Sequence, residues 1–98
     1  MKYEIETTQY FDEWLSKIRD KSILHRFDVR FNRITHGNFG DFKQIDTSLF
    51  ELRYFFGSGY RVYYTVRNNK IVLLLCGGDK STQSRDIAQA RALLDQLG

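Results

Sequence analysis

The sequence lacks most of the features that define secreted proteins and membrane proteins. It contains one cysteine, Cys76, among 98 residues, so it can form neither an internal disulfide nor a zinc site made of cysteines. No run of apolar residues is long enough to span a bilayer. Residues 2–6 are charged and alternating, unlike the apolar core of a secretion signal. We therefore expect a cytoplasmic protein that does not enter a membrane.

Common nucleotide-binding and catalytic motifs are missing as well. The sequence has no P-loop, no GxGxxG segment and no paired-carboxylate motif. Its two histidines, His25 and His36, fall on one predicted helix without partners of the kind that ligate metals. We therefore predict no metal ion and no cofactor, which leaves cationic and aromatic side chains as the candidates for chemistry.

The chain is rich in hydrophobic and basic residues. Its hydrophobic fraction is 42%, with eight Phe and six Tyr, which is enough for one folded domain over residues 1–98. The net charge is +3, and basic residues outnumber acidic ones in 21–40 and again in 61–98. This distribution favours a polyanion or an acidic protein as partner over a neutral small molecule.

Hydrophobic periodicity predicts an α+β domain. Thr8 is a suitable cap for the first helix and Gly37 is suited to end the second. The predicted elements are, in order, a strand over 1–7, helices over 9–20 and 22–36, a loop over 37–47, strands over 49–56, 60–67 and 71–76, and a helix over 84–97. The order is β-α-α-β-β-β-α, with a helical hairpin packed on an antiparallel sheet.

Alternation along the strands separates apolar side chains from polar ones. A three-residue loop at Gly57–Ser58–Gly59 places Arg53 opposite Tyr63, and a two-residue turn at Asn68–Asn69 places Arg61 opposite Cys76. One face then carries the apolar side chains under the helical hairpin, and these are Phe50, Leu52, Tyr54, Tyr60, Val62, Tyr64, Ile71, Leu73 and Leu75. The other face is mixed, and we expect it to be an open groove that the last helix lines in part.

The mixed face predicts a cluster of Arg53, Arg61, Lys80 and Tyr63 at one end of the sheet. Arginine and lysine suit phosphate, and fixed cations stabilise the charge of a phosphodiester transition state. RNA could then be cleaved by its own 2′-hydroxyl, provided that other groups move the protons. The alternative is that Glu51 and Arg53 pair with charged neighbours on a solvated face.

Two further features have structural and functional interpretations. Arg26, Arg30 and Arg33 form a basic stripe on the second helix, which is either a solvated face or a grip on phosphates. Cys76 has no neighbouring histidine in sequence, so we interpret it as a core residue and not as a nucleophile.

Several segments together resemble a known superfamily. These are GDFK at 40–43, ELR at 51–53, GSGYRVYY at 57–64 and LLLCGGDKSTQ at 73–83. The combination is similar to the RelE/ParE toxins, and within them to the HigB-type addiction module killer proteins. The resemblance covers nearly the whole chain.

The resemblance implies a RelE-like fold and a type II toxin–antitoxin toxin. Such toxins are mostly messenger-RNA endonucleases that act in the ribosomal A site without a metal, and a small helix-turn-helix antitoxin neutralises them. Their functional cations correspond to Arg53, Arg61 and Lys80. We also predict that RNA is contacted by Lys43 and Gln83, together with the basic stripe of the second helix.

This sequence departs from the relatives at the group that transfers protons. Some relatives use a tyrosine or histidine near the C-terminus, where this chain offers Gln83 and Asp86. The ParE branch has the same fold but inhibits DNA gyrase without nuclease chemistry. Three hypotheses therefore remain from the sequence: a ribosome-dependent ribonuclease, a gyrase poison, and a basic binding module without enzymatic activity.

Overall fold

A computed structural model describes residues 2–97, which form a five-stranded sheet and three α-helices. The predicted domain of 1–98 therefore has only its first and last residues outside the described range. In chain order the elements are β1 (Glu4–Thr7), α1 (Gln9–Ser16), α2 (Lys21–Thr35), β2 (Phe42–Gln44), β3 (Phe50–Arg53), β4 (Tyr60–Arg67), β5 (Ile71–Asp79), a 3₁₀ turn (Lys80–Thr82) and α3 (Gln83–Leu97).

The helix ends follow the local sequence signals. The Thr8 hydroxyl accepts a hydrogen bond from the Phe11 amide at the start of α1, so the predicted cap is confirmed. Gly37 adopts a φ of 91° directly after α2 and donates its amide to the Ile34 carbonyl. This left-handed conformation favours glycine, which confirms the predicted end of the helix.

The predicted α+β class is confirmed, and the sheet contains one strand, β2, that was not predicted. Its order is β1-β5-β4-β3-β2. β1 lies parallel to β5, whereas the other neighbours are antiparallel. The prediction of an uninterrupted loop over 37–47 is wrong, because Phe42–Gln44 pairs with β3 as a short edge strand. Its three exposed residues gave no alternating signal, because neither face of this strand is buried.

The predicted register between β3 and β4 is wrong by two residues. Arg53 lies opposite Arg61, not opposite Tyr63. The connection runs over 54–59, closed by a hydrogen bond from the Tyr54 amide to the Tyr60 carbonyl, and is longer than Gly57–Ser58–Gly59 because aromatic residues of the connection fold into the core. A shift by an even number of residues keeps each side chain on its predicted face.

The predicted register between β4 and β5 is also wrong, and here the error reverses a face. Asn68 and Asn69 both have a φ of 54°, but pairing starts with Arg67 opposite Ile71, which leaves Lys70 as an extra turn residue. A bulge between Tyr63 and Tyr64 adds a second shift. The odd shift at the turn exchanges the faces of Val72, Leu73, Leu74 and Leu75, whereas the bulge leaves Cys76 on its predicted face.

Two cores therefore lie on opposite sides of the sheet. The first, under α1 and α2, contains the buried residues Phe11, Phe27, Ile34, Leu52, Tyr54, Val62, Tyr64, Val72 and Leu74. The second, under α3, contains Leu49, Tyr63, Leu73, Leu75, Cys76, Ala90 and Leu93. The predicted placement of Leu73 and Leu75 under the helical hairpin is wrong, because α3 covers them.

The second core also overturns the prediction of an open groove on the mixed face. Glu51, Arg61 and Tyr63 are at most 1% exposed, and Thr65 is 5% exposed. α3 packs across β4 and β5 at this point. Alternation correctly placed these side chains away from the first core, but it could not show that a helix closes over them.

Candidate functional site

Strand pairing brings the predicted cluster together in two rows on the α3 side of the sheet. One row runs from Arg53 through Arg61 to Gly78. The next row runs from Glu51 through Tyr63 to Cys76. Since neighbouring strands lie about 4.8 Å apart, both rows span only a narrow strip, which we call the cation strip.

Glu51 is the buried centre of the cation strip. Its Oε1 lies 3.8 Å from the Nε of Arg53 and 3.8 Å from the Nε of Arg61. Its Oε2 accepts a hydrogen bond of 2.7 Å from Gln83 at the start of α3. One buried carboxylate therefore faces two guanidinium groups, which leaves a net positive charge in the strip.

The guanidinium of Arg61 is enclosed by the protein. Its side chain is 2% exposed, and its terminal nitrogen Nη1 donates to the carbonyls of Tyr54, Gly59 and Tyr60 at 3.0–3.3 Å. These carbonyls begin and end the connection between β3 and β4. Arg61 therefore holds this connection against the sheet, and its charge is offset by Glu51.

Arg53 and Lys80 are the predicted cluster residues that reach solvent. The Arg53 side chain is 37% exposed, and Lys80 is exposed. Lys80 follows Asp79, whose carboxylate accepts hydrogen bonds from the amide and hydroxyl of Ser81. The Ser81 hydroxyl lowers the pKa of Asp79 in this arrangement, against a small opposing effect of burial. The 3₁₀ turn therefore presents Lys80 from a fixed backbone.

Tyr63 lies in the strip with its side chain fully buried. Burial raises the pKa of its phenol far above 10, and the charge of Glu51 adds to the shift. Among residues 2–97, no group forms a hydrogen bond with its hydroxyl. The ring contributes to the second core, so the structure places Tyr63 in packing and away from solvent.

Cys76 lies at the end of the same row, and its thiol is free and buried. It is 2% exposed, and its thiol lies 3.5 Å from the Asp86 carbonyl. Burial raises the pKa of the Cys76 thiol to about 12, so almost no thiolate exists near neutral pH. Its position and pKa agree with the interpretation as a core residue.

The predicted RNA contacts separate into two groups in the structure. Lys43 is exposed on β2 directly opposite Glu51, next to the cation strip. Gln83 also borders the strip, but its amide is bonded to Glu51. Arg26, Arg30 and Arg33 lie on α2, which packs on the other side of the sheet.

Arg30 has a structural role that its sequence pattern did not reveal. Its guanidinium donates to the carbonyls of Phe39, Asp41 and Arg53 and lies 4.6 Å from the centre of the Tyr54 ring. All of its nitrogens are thus engaged, and they tie α2 to β3 and to the loop before β2. Arg33 remains exposed, and Arg26 lies over the Phe56 ring at 4.8 Å.

Replacing Arg30 with lysine is expected to lower the free energy of unfolding by about 1–3 kcal/mol, because lysine cannot reach three carbonyls in one plane. Urea denaturation followed by tryptophan fluorescence measures this change. Arg33→Lys on the same helix is the matched control and should change stability by less than about 0.5 kcal/mol. Equal effects of the two substitutions would contradict the assigned role of Arg30.

The described part of the chain contains neither a group of metal-ligating side chains nor a helix suited to crossing a membrane. Among residues 2–97, no three His, Cys, Asp or Glu side chains group closely enough to hold a metal ion. None of the helices in the same range combines the length and apolar character needed to cross a membrane.

Sequence reasoning missed the most important contacts of the cation strip. Glu51 was considered as an ion-pair partner on a solvated face, but the structure makes it a fully buried centre. The sequence offers Asp86 at the place where some relatives carry a proton-transferring side chain, but in the structure this side chain is 3% exposed and accepts a hydrogen bond from Thr82. A glutamate alternating with large apolar residues in a strand was the available signal for a buried charge.

The fold and the cation strip define a class of small α+β proteins with a basic surface built on a buried ion cluster. A family model described as "Phage derived protein Gp49-like (DUF891)" matches residues 9–95. The chain therefore belongs to the Gp49-like family, which is associated in general with RelE-like toxins of addiction modules.

A relative from Haemophilus influenzae is similar along its whole length. It is 48% identical over 98 residues, which cover 100% of this chain and 99% of the relative, and its description reads "Uncharacterized protein". The comparison with solved structures gave no match.

Proposed function

We propose that this protein is the toxin of a type II toxin–antitoxin system and that it cleaves messenger RNA on the ribosome without a metal. The observation that carries the proposal is the pair of solvent-accessible cations, partly exposed Arg53 and exposed Lys80, beside the buried Glu51–Arg61 pair. Membership of the Gp49-like family, with its general association with addiction modules, supports the toxin class.

The two exposed cations are suited to a phosphodiester group. Arg53 offers a planar fork of donors to the non-bridging oxygens, and Lys80 adds a point charge. As the 2′-hydroxyl attacks, negative charge grows on these oxygens, and cations held in advance stabilise it. Arg61 is enclosed, so in this proposal it positions the β3–β4 connection and does not contact the phosphate.

Proton transfer is the step for which the chain is least equipped. The pKa values of Tyr63 and Cys76 are both raised by burial, so neither group exchanges protons readily near pH 7. This agrees with a ribonuclease that depends on the ribosome to arrange its substrate, since alignment alone can supply a large part of a rate enhancement.

The proposed ribonuclease also has a defined compartment, a partner protein and no cofactor requirement. The protein acts in the cytoplasm, where ribosomes and messenger RNA are found. It is held inactive by a cognate antitoxin, a small helix-turn-helix protein. It needs no cofactor, because fixed cations and the 2′-hydroxyl of the substrate supply the chemistry.

Replacing Arg53 or Lys80 with alanine is expected to reduce messenger-RNA cleavage by about 10- to 100-fold, since each cation stabilises transition-state charge. Cleavage is measured by mapping new 5′ ends within coding frames after induction. A reconstituted translation reaction with the purified protein gives the rate.

Arg67→Ala is the matched control for this experiment, because Arg67 is an exposed arginine at the opposite end of β4. It should cleave at the wild-type rate. The ribonuclease proposal fails if induction arrests growth without new messenger-RNA ends, or if the Arg53 and Lys80 variants cleave as well as the wild type.

The raised pKa of Tyr63 favours a second candidate function, inhibition of DNA gyrase, because that activity needs no proton transfer. This function predicts DNA breaks after induction, loss of gyrase supercoiling with purified components, and unaffected translation. A third outcome, in which expression without the antitoxin leaves growth unchanged, would indicate a binding module without enzymatic activity.

A further inference from the structure

Phe55 is an aromatic side chain left in solvent on the connection between β3 and β4, two residues after Arg53. It is 77% exposed, more than any other large hydrophobic residue in the described range. A single exposed apolar side chain is common on protein surfaces and needs no explanation by itself. Its neighbours along the chain make this one different.

Both residues next to Phe55 are anchored in the first core. Tyr54 is 3% exposed, and its ring packs edge-on against Phe27 at 4.8 Å. Phe56 packs against Phe27 and Tyr60 at about 6 Å, and its exposure is intermediate. The backbone on either side of Phe55 is thus held by the core, so its outward direction is built into the fold.

The same connection links the two exposed cations. It begins directly after Arg53 and ends at Gly59. A Cβ added to Gly59 would lie 3.0 Å from the Cγ and Cδ of Lys80, so the Lys80 side chain runs along this glycine. Phe55 therefore lies on a connection that starts directly after Arg53 and packs against the Lys80 side chain at its last residue, Gly59.

We propose that Phe55 is a stacking platform for an unpaired base of the RNA strand whose phosphates contact Arg53 and Lys80. The proposal rests on the proposed function and specifies its substrate as single-stranded RNA with an accessible base. Proteins that bind single strands combine a basic surface with aromatic rings on which bases stack. Bases in a duplex are already stacked, so a paired strand should not occupy this ring.

An acidic protein surface is the competing occupant, because it would also be attracted by the two cations. A protein interface normally buries several apolar side chains together at its centre. Phe55 instead lies two residues after Arg53, the last residue of β3, and its core-facing neighbours leave one ring exposed. A planar base matches a single exposed ring on a connection flanked by cations better than a protein surface does.

The test uses ten-nucleotide RNAs that carry one 2-aminopurine, moved through each position, with the full-length protein at low salt. The fluorescence of 2-aminopurine falls when it stacks on an aromatic ring. Wild type and Phe55→Tyr should quench one position and bind with similar Kd. Phe55→Leu should lose this quenching and bind about tenfold more weakly.

Phe42→Leu is the matched control, because Phe42 is 50% exposed on the edge strand β2. It should quench and bind as the wild type does. Addition of the protein should leave the fluorescence of the duplex form of the same RNA unchanged, because its bases are already stacked on one another. Circular dichroism spectra of all variants establish that each one is folded.

The outcomes separate this inference from the proposed function. If Arg53→Ala abolishes RNA binding but Phe55→Leu quenches normally, stacking is refuted and the RNA-binding function stands. If wild type quenches the probe but translation reactions show no cleavage, stacking stands and the ribonuclease is refuted. If an acidic peptide binds and Phe55→Leu weakens that binding while RNA gives no quenching, the acidic-protein occupant is correct and our inference is overturned.

Discussion

Replacing Glu51 with leucine is expected to lower the free energy of unfolding by about 3–5 kcal/mol, because it leaves a buried arginine without its counter-charge. Glu51 and Arg61 are both at most 1% exposed. Their separation of 3.8 Å from Oε1 to Nε is too long for a hydrogen bond. The charges are thus the main interaction between them, and removing one exposes the desolvation cost of the other.

The double variant Glu51→Leu with Arg61→Leu should lose less unfolding free energy than the two single variants lose together. Replacing both members of a buried ion pair by apolar residues is often nearly neutral, although here three carbonyls also lose their donor. Urea denaturation of the wild type, both single variants and the double variant gives the coupling energy. Purely additive effects would show that the buried pair is not coupled.

A matched control for this cycle exists on the surface. Glu4 and Lys70 form an ion pair of 3.9 Å, with both side chains more than 60% exposed. Replacing Glu4 with leucine should change stability by no more than about 1 kcal/mol, because water already solvates both charges. The contrast between Glu4 and Glu51 tests burial as the cause, since the change in residue type is the same.

Replacing Gly78 with alanine is the second substitution with a large expected effect, about 3 kcal/mol or more of lost stability. A Cβ on Gly78 would lie 2.7 Å from the Thr82 hydroxyl, 2.8 Å from the Asp86 Cγ, and closer still to the Asp86 carboxylate. Asp86 is buried in the first turn of α3. The new methyl group must therefore move the helix, the 3₁₀ turn that presents Lys80, or both.

The same substitution in an Asp86→Ala background provides the control. Shortening Asp86 removes the nearest obstacle, so Gly78→Ala should cost clearly less stability there than in the wild type. Thermal denaturation of the four proteins measures the difference. An equal cost in both backgrounds would contradict a steric origin, and it would indicate a requirement of the backbone at Gly78 instead.

The register errors show for which strands the sequence predicts the correct face of each side chain. In β3 and β4, large apolar residues alternate with charged ones, so the correct face could be assigned to Leu52, Val62 and Arg61. In β5, residues 71–76 are apolar on both faces because a core lies on each side. Alternation cannot determine the register of such a strand.

The sequence predicted which residues form the candidate site, but it did not predict which of them are buried and which reach solvent. The four predicted cluster residues do fall in one strip and its adjoining turn. Their separation into buried Arg61 and Tyr63 and exposed Arg53 and Lys80 depends on where α3 lies. The hydrophobic stripe of α3 predicts a helix and a packing face, but it does not specify which strands the helix will cover.

The sequence by itself determined the number and order of the helices, the caps at Thr8 and Gly37, the α+β class and the face on which the arginines of β3 and β4 lie. These features depend on contacts within a few residues, where spacing and residue type decide the conformation. The end of the first helix was predicted wrongly, since it lies at Ser16 and not at residue 20. The tertiary structure alone decided the parallel pairing of β1, the register of β5, the burial of Glu51 with Arg61, and the exposure of Phe55. Each of these depends on residues far apart in the chain, which meet only when α3 and the helical hairpin close over opposite sides of the sheet.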